Sequence, residues 1–319
     1  MRNLNDFPLV SVICLCYNHE QFVAKAINSV LNQSHANFEL IVINDASTDK
    51  SAEIIVEVLD GKHIFINHAV NQGMCKSFNE ALGIAKGKYV IDLAADDYFL
   101  PDKLSKQVKI FESLPAGYGV VYSDALLIDQ HHNEISTFVA QKRKLNPKYI
   151  PPQGDVFCEV LNDYCIMSPT MMFRKSMLDQ LEGYDENLSY EDYDFFIRSS
   201  RNWKYYYIDE TLIAKRMLPN SDSRAFYKIK NQHLISSLTI VKKAKNLLQT
   251  ELEKVALVSK IRYFIRLCLY THHWDLAFEF AEILKKTDKI NFITRLFLIG
   301  CRLELKLNGL YLLYTKRKW

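Results

Sequence analysis

Leu9-Val-Ser-Val-Ile-Cys-Leu-Cys16 is an apolar run of strand length, and Glu20 to Gln33 follows with apolar residues at Phe22, Val23, Ala26, Ile27, Val30 and Leu31. The run suits a parallel strand buried on both faces, and the spacing after it is that of a helix. Phe38 to Ile43 is a second strand and Ser47 to Leu59 a second helix. The alternation continues through a weaker strand near Ile64 to Ile66, a helix from about Met74 to Ala85 and a strand from Tyr89 to Leu93. A helix from Pro101 to Leu114 and a strand from Val120 to Ser123 complete it. Strands separated by such helices imply right-handed βαβ units and a mostly parallel sheet flanked by helices. Ligands of such sheets lie beyond the carboxyl ends of the strands.

Beyond the alternation, residues 130–165 read as loops, with Pro-rich Ile150-Pro-Pro-Gln-Gly154 and basic Lys142-Arg-Lys144. Met167 to Phe173 is strand-like, Tyr190 to Ser200 helical, and Trp203 to Ile208 a last strand. From Ala225 onward there is no proline and only Gly300 and Gly309, so the pattern is helical throughout. Helices are expected at about 226–249, 251–271, 274–286 and 290–313. The division is therefore an α/β domain over 1–224 and an all-helical region over 225–319.

Composition narrows the class. The chain has 319 residues, 49% hydrophobic and 24% charged, which excludes a disordered or fibrous protein. Its longest uncharged stretches, such as Phe7 to His19, have 13 residues, short of the ~20 that a spanning helix needs. The opening residues lead straight into a strand with no signal-peptide apolar region, and seven cysteines show no C-x-x-C pair. Both features point to reduced thiols and a cytoplasmic protein. The net charge of +3 conceals an asymmetry. Residues 1–224 carry 22 Lys+Arg against 30 Asp+Glu, and residues 225–319 carry 18 against 7. An acidic body with a basic tail suggests that the tail meets something anionic, and no nucleic-acid partner is expected.

The carboxylates cluster where such a sheet binds ligands. The second strand ends in Asn44-Asp-Ala-Ser-Thr-Asp49, the fourth is followed by Ala95-Asp96-Asp97, and Tyr190-Glu191-Asp192-Tyr-Asp194 opens a helix. Ser47 or Asp45 also suits an N-cap, and Asp192 also suits the positive end of a helix dipole. Adjacent carboxylates at a strand end repel each other, and a divalent ion shared with substrate phosphates relieves that. No G-x-G-x-x-G, P-loop or G-x-S-x-G motif occurs, so dinucleotide, P-loop and serine-hydrolase chemistry are unsupported.

Taken in order, these stretches resemble glycosyltransferase family 2, with its GT-A nucleotide-diphospho-sugar transferase fold, over about residues 8–218. Val10 to Asn18 looks like the family's opening strand with its Tyr-Asn, and Ser29-Val-Leu-Asn-Gln33 resembles its Ser-Val-Leu-x-Gln. Asn44 to Asp49 is similar to the nucleotide-binding Asp-x-Ser-x-Asp. Asn71-Gln-Gly73, Asn79-Glu-Ala81, Lys86-Gly87 and Tyr89 continue in register. Ala94-Ala-Asp-Asp97 stands at the metal motif, and Gly183-Tyr-Asp-Glu186 with Glu191-Asp192 to Arg198 matches the acceptor side.

The resemblance implies a hexosyltransferase-type, non-processive enzyme that moves one sugar from a nucleotide diphosphate, expected to be a UDP-sugar, with inversion. It assigns Asp45 to the base of the nucleotide, in a binding set with Tyr17, Asn18, Glu20, Asp49, Asn71, Gly73, Lys76 and Asp96. Asp96 with Asp97 would hold Mg²⁺ or Mn²⁺, Asp192 beside Glu191 would be the general base, and Arg216 would meet the phosphates. Two positions depart from the family pattern. Ala94 replaces the first Asp of Asp-x-Asp, and Leu218 stands where a histidine is common. They motivate an alternative, a sugar-nucleotide-binding scaffold that has lost catalysis. The acceptor is expected to be a glycan or lipid-linked glycan precursor in polysaccharide biosynthesis. The basic region 225–319 is expected to rest peripherally on an anionic membrane surface, to pack on the catalytic domain or to mediate oligomerisation.

Overall fold

A computed structural model of the chain describes residues 7–218 and 226–316. They pack as two units, one formed by the chain up to 156 with 165–186 and 202–218, the other by 157–164, 187–201 and the chain from 219 onward. The expected division at 224 is thus only partly a division of packing. Two short segments ahead of it belong with the C-terminal helices, because the apolar side chains of Phe157, Val160, Leu161, Tyr193 and Phe196 are buried there.

All nine described strands lie in the first unit. They are β1 (Val10–Cys16), β2 (Phe38–Asn44), β3 (Ile64–Asn67), β4 (Tyr89–Ala94), β5 (Tyr98–Phe99), β6 (Tyr118–Ile128), β7 (Glu134–Thr137), β8 (Met172–Arg174) and β9 (Lys204–Arg216). Their order is β3-β2-β1-β4-β8-β6-β9-β5, with β7 on β6. Helices α1 (Val23–Leu31), α2 (Ser51–Leu59), α3 (Met74–Ile84) and α4 (Lys103–Ser113) are the expected crossovers. Val23, Ala26, Ile27 and Val30 of α1 are buried, the helical stripe that the apolar spacing requires. Parallel pairing aligns Cys16 with Asn44 on one side of β1 and Leu15 with Ala94 on the other. The residues after β1, β2 and β4 therefore emerge side by side at one end of the sheet. At the opposite, amino-terminal end of these strands the close approach of β1 to the chain entering β4 needs Gly87, whose Cβ would lie 2.5 Å from the Ser11 nitrogen.

The sheet is mixed rather than uniformly parallel, because β8 runs antiparallel to both β4 and β6. Residues 167–173 are not one strand, since Ser168–Thr170 is a 3-10 turn containing Pro169 and only Met172–Arg174 pairs. Strand β9 is longer than expected. The expected strand stops at Ile208, but at Asp209-Glu210 the register against β6 slips, from Ser123 opposite Ile208 to Asp124 opposite Thr211, and pairing resumes. In the segment expected to be loops, α5 (Phe138–Leu145) and α6 (Phe157–Asn162) form, followed by α7 (Lys175–Gln180).

The second unit contains α6, α8 (Glu191–Ser200), α9 (Gln232–Leu247), α10 (Glu251–Tyr270), α11 (Trp274–Lys285), α12 (Phe292–Arg302) and α13 (Asn308–Lys316). Helix α10 starts with a Thr250/Glu253 capping box, and Arg201 after α8 pairs with the same Glu253 at 2.8 Å. The single helix expected over 290–313 is broken after Arg302. Glu304 takes a left-handed φ of 51° and the Leu305 N–H returns to the Gly300 carbonyl. A glutamate at that position carries no helix-stop signal in sequence, where glycine or asparagine would. Residues 317–319 of the basic terminus lie outside the described residues.

Candidate active site

The loops after β1 and β2 are laced together by side chains that accept backbone N–H groups. Asn18 N–H donates to Ser47 Oγ, and the Asn18 amide oxygen accepts from Thr48 N–H at 2.8 Å. Glu20 N–H donates to Asp49, and Lys50 N–H donates back to the Glu20 carboxylate. The left-handed turn at Asn18 suits its type, since asparagine tolerates that region. Asn18, Glu20 and Asp49 are thus occupied in building the loop, while Tyr17 is 48% exposed at its tip.

Asp45 organises the next turn. Its carboxylate accepts the N–H groups of Gln72 and Gly73, each at 2.8 Å, and meets His68 Nδ1 at 2.8 Å. Asn71 donates to the Asp45 carbonyl. Burial works to raise this carboxyl, but the bonds from His68, Gln72 and Gly73 outweigh it and leave the net shift downward. His68 also bonds Glu80 through Nε2 at 2.9 Å. Burial opposes its charge, yet the bonds to the two carboxylates raise its pKa overall, and the ring links Asp45 to Glu80. Nothing in the sequence marked His68, because the weak strand before it gives no register. Lys76 is exposed in the first turn of α3.

Gly73 precedes α3 with φ 87° and ψ 155°, a region essentially closed to residues with a Cβ. No atom would meet an added Cβ, so Gly73→Ala tests backbone strain alone. It should destabilise the protein by about 1–3 kcal/mol and loosen the Asp45 turn, read as a lower melting temperature. An unchanged melting temperature would contradict the strain.

At the end of β4 the two aspartates have different surroundings. Asp97 is 1% exposed, and its Oδ1 accepts Arg216 N–H at 2.8 Å while Lys215 lies 3.2 Å from Oδ2. Burial pushes its pKa up, against the pull of Lys215. Asp96 is 8% exposed, and no described side chain or N–H bonds its carboxylate, although its carbonyl accepts from Arg216 Nε. A largely buried carboxylate without a protein partner is unfavourable unless a cation completes it. No group of three His, Cys, Asp or Glu able to hold a metal occurs among the described residues. A divalent ion here would take one carboxylate from Asp96 and its remaining ligands from phosphate oxygens and water, a pattern typical of Mg²⁺.

Arg216, expected to meet phosphates, is placed otherwise. It is buried, and Nε, Nη1 and Nη2 bond the carbonyls of Asp96, Asp129 and Gln130 and the Nδ1 of His132. Its guanidinium also lies 4.3 Å from the Phe22 ring centroid. It braces the Asp96 loop from behind, a role that motif position alone does not distinguish from phosphate binding.

Asp92 was not singled out in the sequence, although alternation along β4 puts it on the face of Ala94. It accepts from the Tyr184 hydroxyl at 3.2 Å. Burial, helped by nearby Asp97 and opposed by Tyr184 and Lys215, pushes its pKa up to about 7. An aspartate ionises near 4 in an unfolded chain, so the folded state binds the extra proton between about pH 4 and 7. Stability through this group is fully present below about pH 4 and is lost as pH rises through 7. Asp92→Asn keeps an acceptor for Tyr184 and should melt several degrees above the parent at about pH 8 but equally near pH 4, measured with chelator present. Parallel melting profiles for the two proteins would refute the assignment.

Two further motifs clamp each other. Asn79 accepts from Tyr184 N–H and donates to the Tyr184 carbonyl and to Glu186. In the second unit, Glu191 and Asp192 stand half-buried in the first turn of α8. Asp194 beside them is buried and bridged to Arg198 at 2.6 Å and Lys243 at 2.7 Å. Tyr190, just ahead, is packed against Tyr193, Phe226 and His233. The turn that carries Asp192 is therefore held by an ion-pair network on one side and an aromatic cluster on the other.

The strand order and the flanking helices give a fold of the GT-A type. The chain belongs to glycosyl transferase family 2, whose description matches residues 11–181. It is 34% identical to an uncharacterized glycosyltransferase of Methanocaldococcus jannaschii, over 76% of this chain and 81% of that protein. An uncharacterized glycosyltransferase of Haemophilus influenzae is 30% identical over 86% of this chain and 99% of its own length. Among solved structures, S. aureus TarS in complex with UDP-GlcNAc superimposes with a TM-score of 0.63 at 19% identity, covering 92% of this chain and 79% of TarS. Mannosyltransferase PcManGT from Pyrobaculum calidifontis, in complex with GDP-Man and Mn²⁺, gives 0.61 at 12% identity over 96% and 88%. At such identities the two structures speak for the fold.

Proposed function

We propose that this glycosyltransferase moves a single sugar, with inversion, from a nucleotide diphosphate to a hydroxyl of a glycan or lipid-linked glycan precursor, with a UDP-sugar as the first candidate donor. The observation that carries the reading is the largely buried carboxylate of Asp96 at the end of β4, which no described side chain or N–H hydrogen-bonds. PcManGT holds Mn²⁺ with its nucleotide sugar, and TarS holds UDP-GlcNAc, which supports a comparable donor here. A divalent ion bound by Asp96 would stabilise the negative charge that develops on the leaving diphosphate. Asp97, tied to Lys215 and Arg216, would fix the loop that carries Asp96.

Tyr17 offers an exposed ring for the base to stack on. An ionised carboxylate has about four acceptor sites. Three on Asp45 are used by Gln72, Gly73 and His68, which leaves one for the imide N–H of a uracil. Asp192 would take the proton from the acceptor hydroxyl as its oxygen bonds the anomeric carbon and the electron pair of the broken bond leaves with the diphosphate. An enzyme peripheral to the inner face of a membrane would meet lipid-linked acceptors there. No described helix is long and apolar enough to cross a bilayer.

Ala94 and Leu218 favour a second reading, a protein that binds the donor without turning it over. Thermal stability with a panel of nucleotide sugars, with and without Mn²⁺, tests the donor site under both. Saturation at 100 times Kd raises stability by roughly 2.7 kcal/mol, a readily seen shift. A metal-dependent shift with one donor followed by nucleotide release on adding acceptor supports transfer, and a shift without release supports the binding protein. No shift with any donor contradicts both.

A further inference from the structure

Helix α12 carries its apolar stripe on the outside. Its buried positions are Thr294, Gly300 and Cys301, with Gly300 set against Leu269 of α10. On the opposite side Phe292, Leu296, Ile299 and Leu303 follow one another at helical spacing, with Ile293 beside them. Phe292 is 74% exposed, Leu303 65% and Ile293 62%. Leu310 and Leu312 of α13 are exposed as well. A contiguous apolar surface of this kind marks an interaction site rather than ordinary scatter.

Cations border the stripe. Arg295 and Arg302 flank it on α12, Lys306 follows it, and an open hollow of about 740 Å³ beside it is lined by Lys285, Lys286, Lys289 and Arg295. The acids nearby are largely neutralised, Asp288 by Arg262 at 2.8 Å and Glu282 by Lys285 at 2.6 Å, with Glu304 exposed. A symmetric pairing with a second copy would set Lys289, Arg295 and Arg302 against the same cations. Neutral apolar protein would leave them unpaired. A short helix with an aliphatic and aromatic face bordered by Lys and Arg fits the boundary between acyl chains and anionic headgroups.

We infer that the outer face of α12, with the cationic hollow beside it, docks the protein on an anionic lipid bilayer. The apolar side chains enter the acyl boundary and the cations meet lipid phosphates. The inference is independent of which sugar is transferred, because it concerns a surface of the second unit alone.

Cosedimentation of the full chain with phosphatidylcholine vesicles, with and without about one third phosphatidylglycerol, tests it in low salt. The protein should pellet with the anionic vesicles only, and added salt should release it. Leu296→Glu with Ile299→Glu, and separately Lys289→Glu with Arg295→Glu, should each weaken binding at least about tenfold. All four positions are exposed, so both variants should keep the parent melting temperature and any donor-induced shift. Failure of the parent to pellet with anionic vesicles overturns the inference, as does pelleting that both variants retain. If light scattering shows a dimer that Leu296→Glu dissociates, the face is a self-interface and the inference is equally wrong.

Discussion

Asp192→Asn is expected to lower sugar transfer by about 10²–10⁴-fold, the usual contribution of a positioned general base, while the donor-induced rise in melting temperature stays at the parent value. Asparagine keeps the size and one acceptor oxygen of aspartate but takes no proton at neutral pH. The effect should therefore fall on kcat, with donor binding spared. The neighbouring acid supplies the control. Asp194 is buried between Arg198 and Lys243, so Asp194→Asn weakens a network instead of removing a base. Breaking a buried pair costs about 3–5 kcal/mol, and that variant should melt early whatever its activity. Equal loss of donor binding and turnover in Asp192→Asn would move this residue out of the base role and into the donor site.

Asp96→Asn is expected to abolish the metal-dependent part of the donor-induced thermal shift and to cut transfer by at least about 10²-fold, since a Lewis acid on the leaving diphosphate is worth several kcal/mol. The fold should hold, because no described side chain or N–H hydrogen-bonds the Asp96 carboxylate, and the free protein should melt close to the parent temperature. Asp97→Asn should behave in the opposite way. It leaves Lys215 facing a neutral group, lowers the melting temperature with or without donor, and affects metal response only through the loop. A metal-dependent shift that survives Asp96→Asn, or one lost equally in Asp97→Asn at unchanged stability, would reassign the ligand.

Much of this was legible beforehand because it depends on local pattern. The βαβ half of the sheet follows from apolar runs and helical stripes, and β1 to β4 and α1 to α4 lie where the spacing places them. The ordered motifs led to the family for the same reason. Less legible were elements whose signal is tertiary. Strand β9 passes through Asp209-Glu210 because pairing with β6 absorbs them in a register slip. Met167 to Phe173 breaks because Pro169 favours a turn, and the stub that remains is held antiparallel between β4 and β6.

Residue type and order by themselves determined the fold class, the family and the set of acidic residues at the strand ends, because these follow from side-chain periodicity and from which residues can carry the chemistry. Only the tertiary structure decided what surrounds each acid within that set. Asp96 and Asp97 are chemically identical neighbours, yet the Asp97 carboxylate faces Lys215 and the Arg216 N–H while the Asp96 carboxylate has no described hydrogen-bond donor. Arg216 braces the loop of Asp96, His68 links Asp45 to Glu80, and the segment bearing Asp192 packs with the C-terminal helices. A carboxylate's charge and availability depend on desolvation and on the donors within about 3–4 Å, and those neighbours are set by packing between residues far apart in sequence.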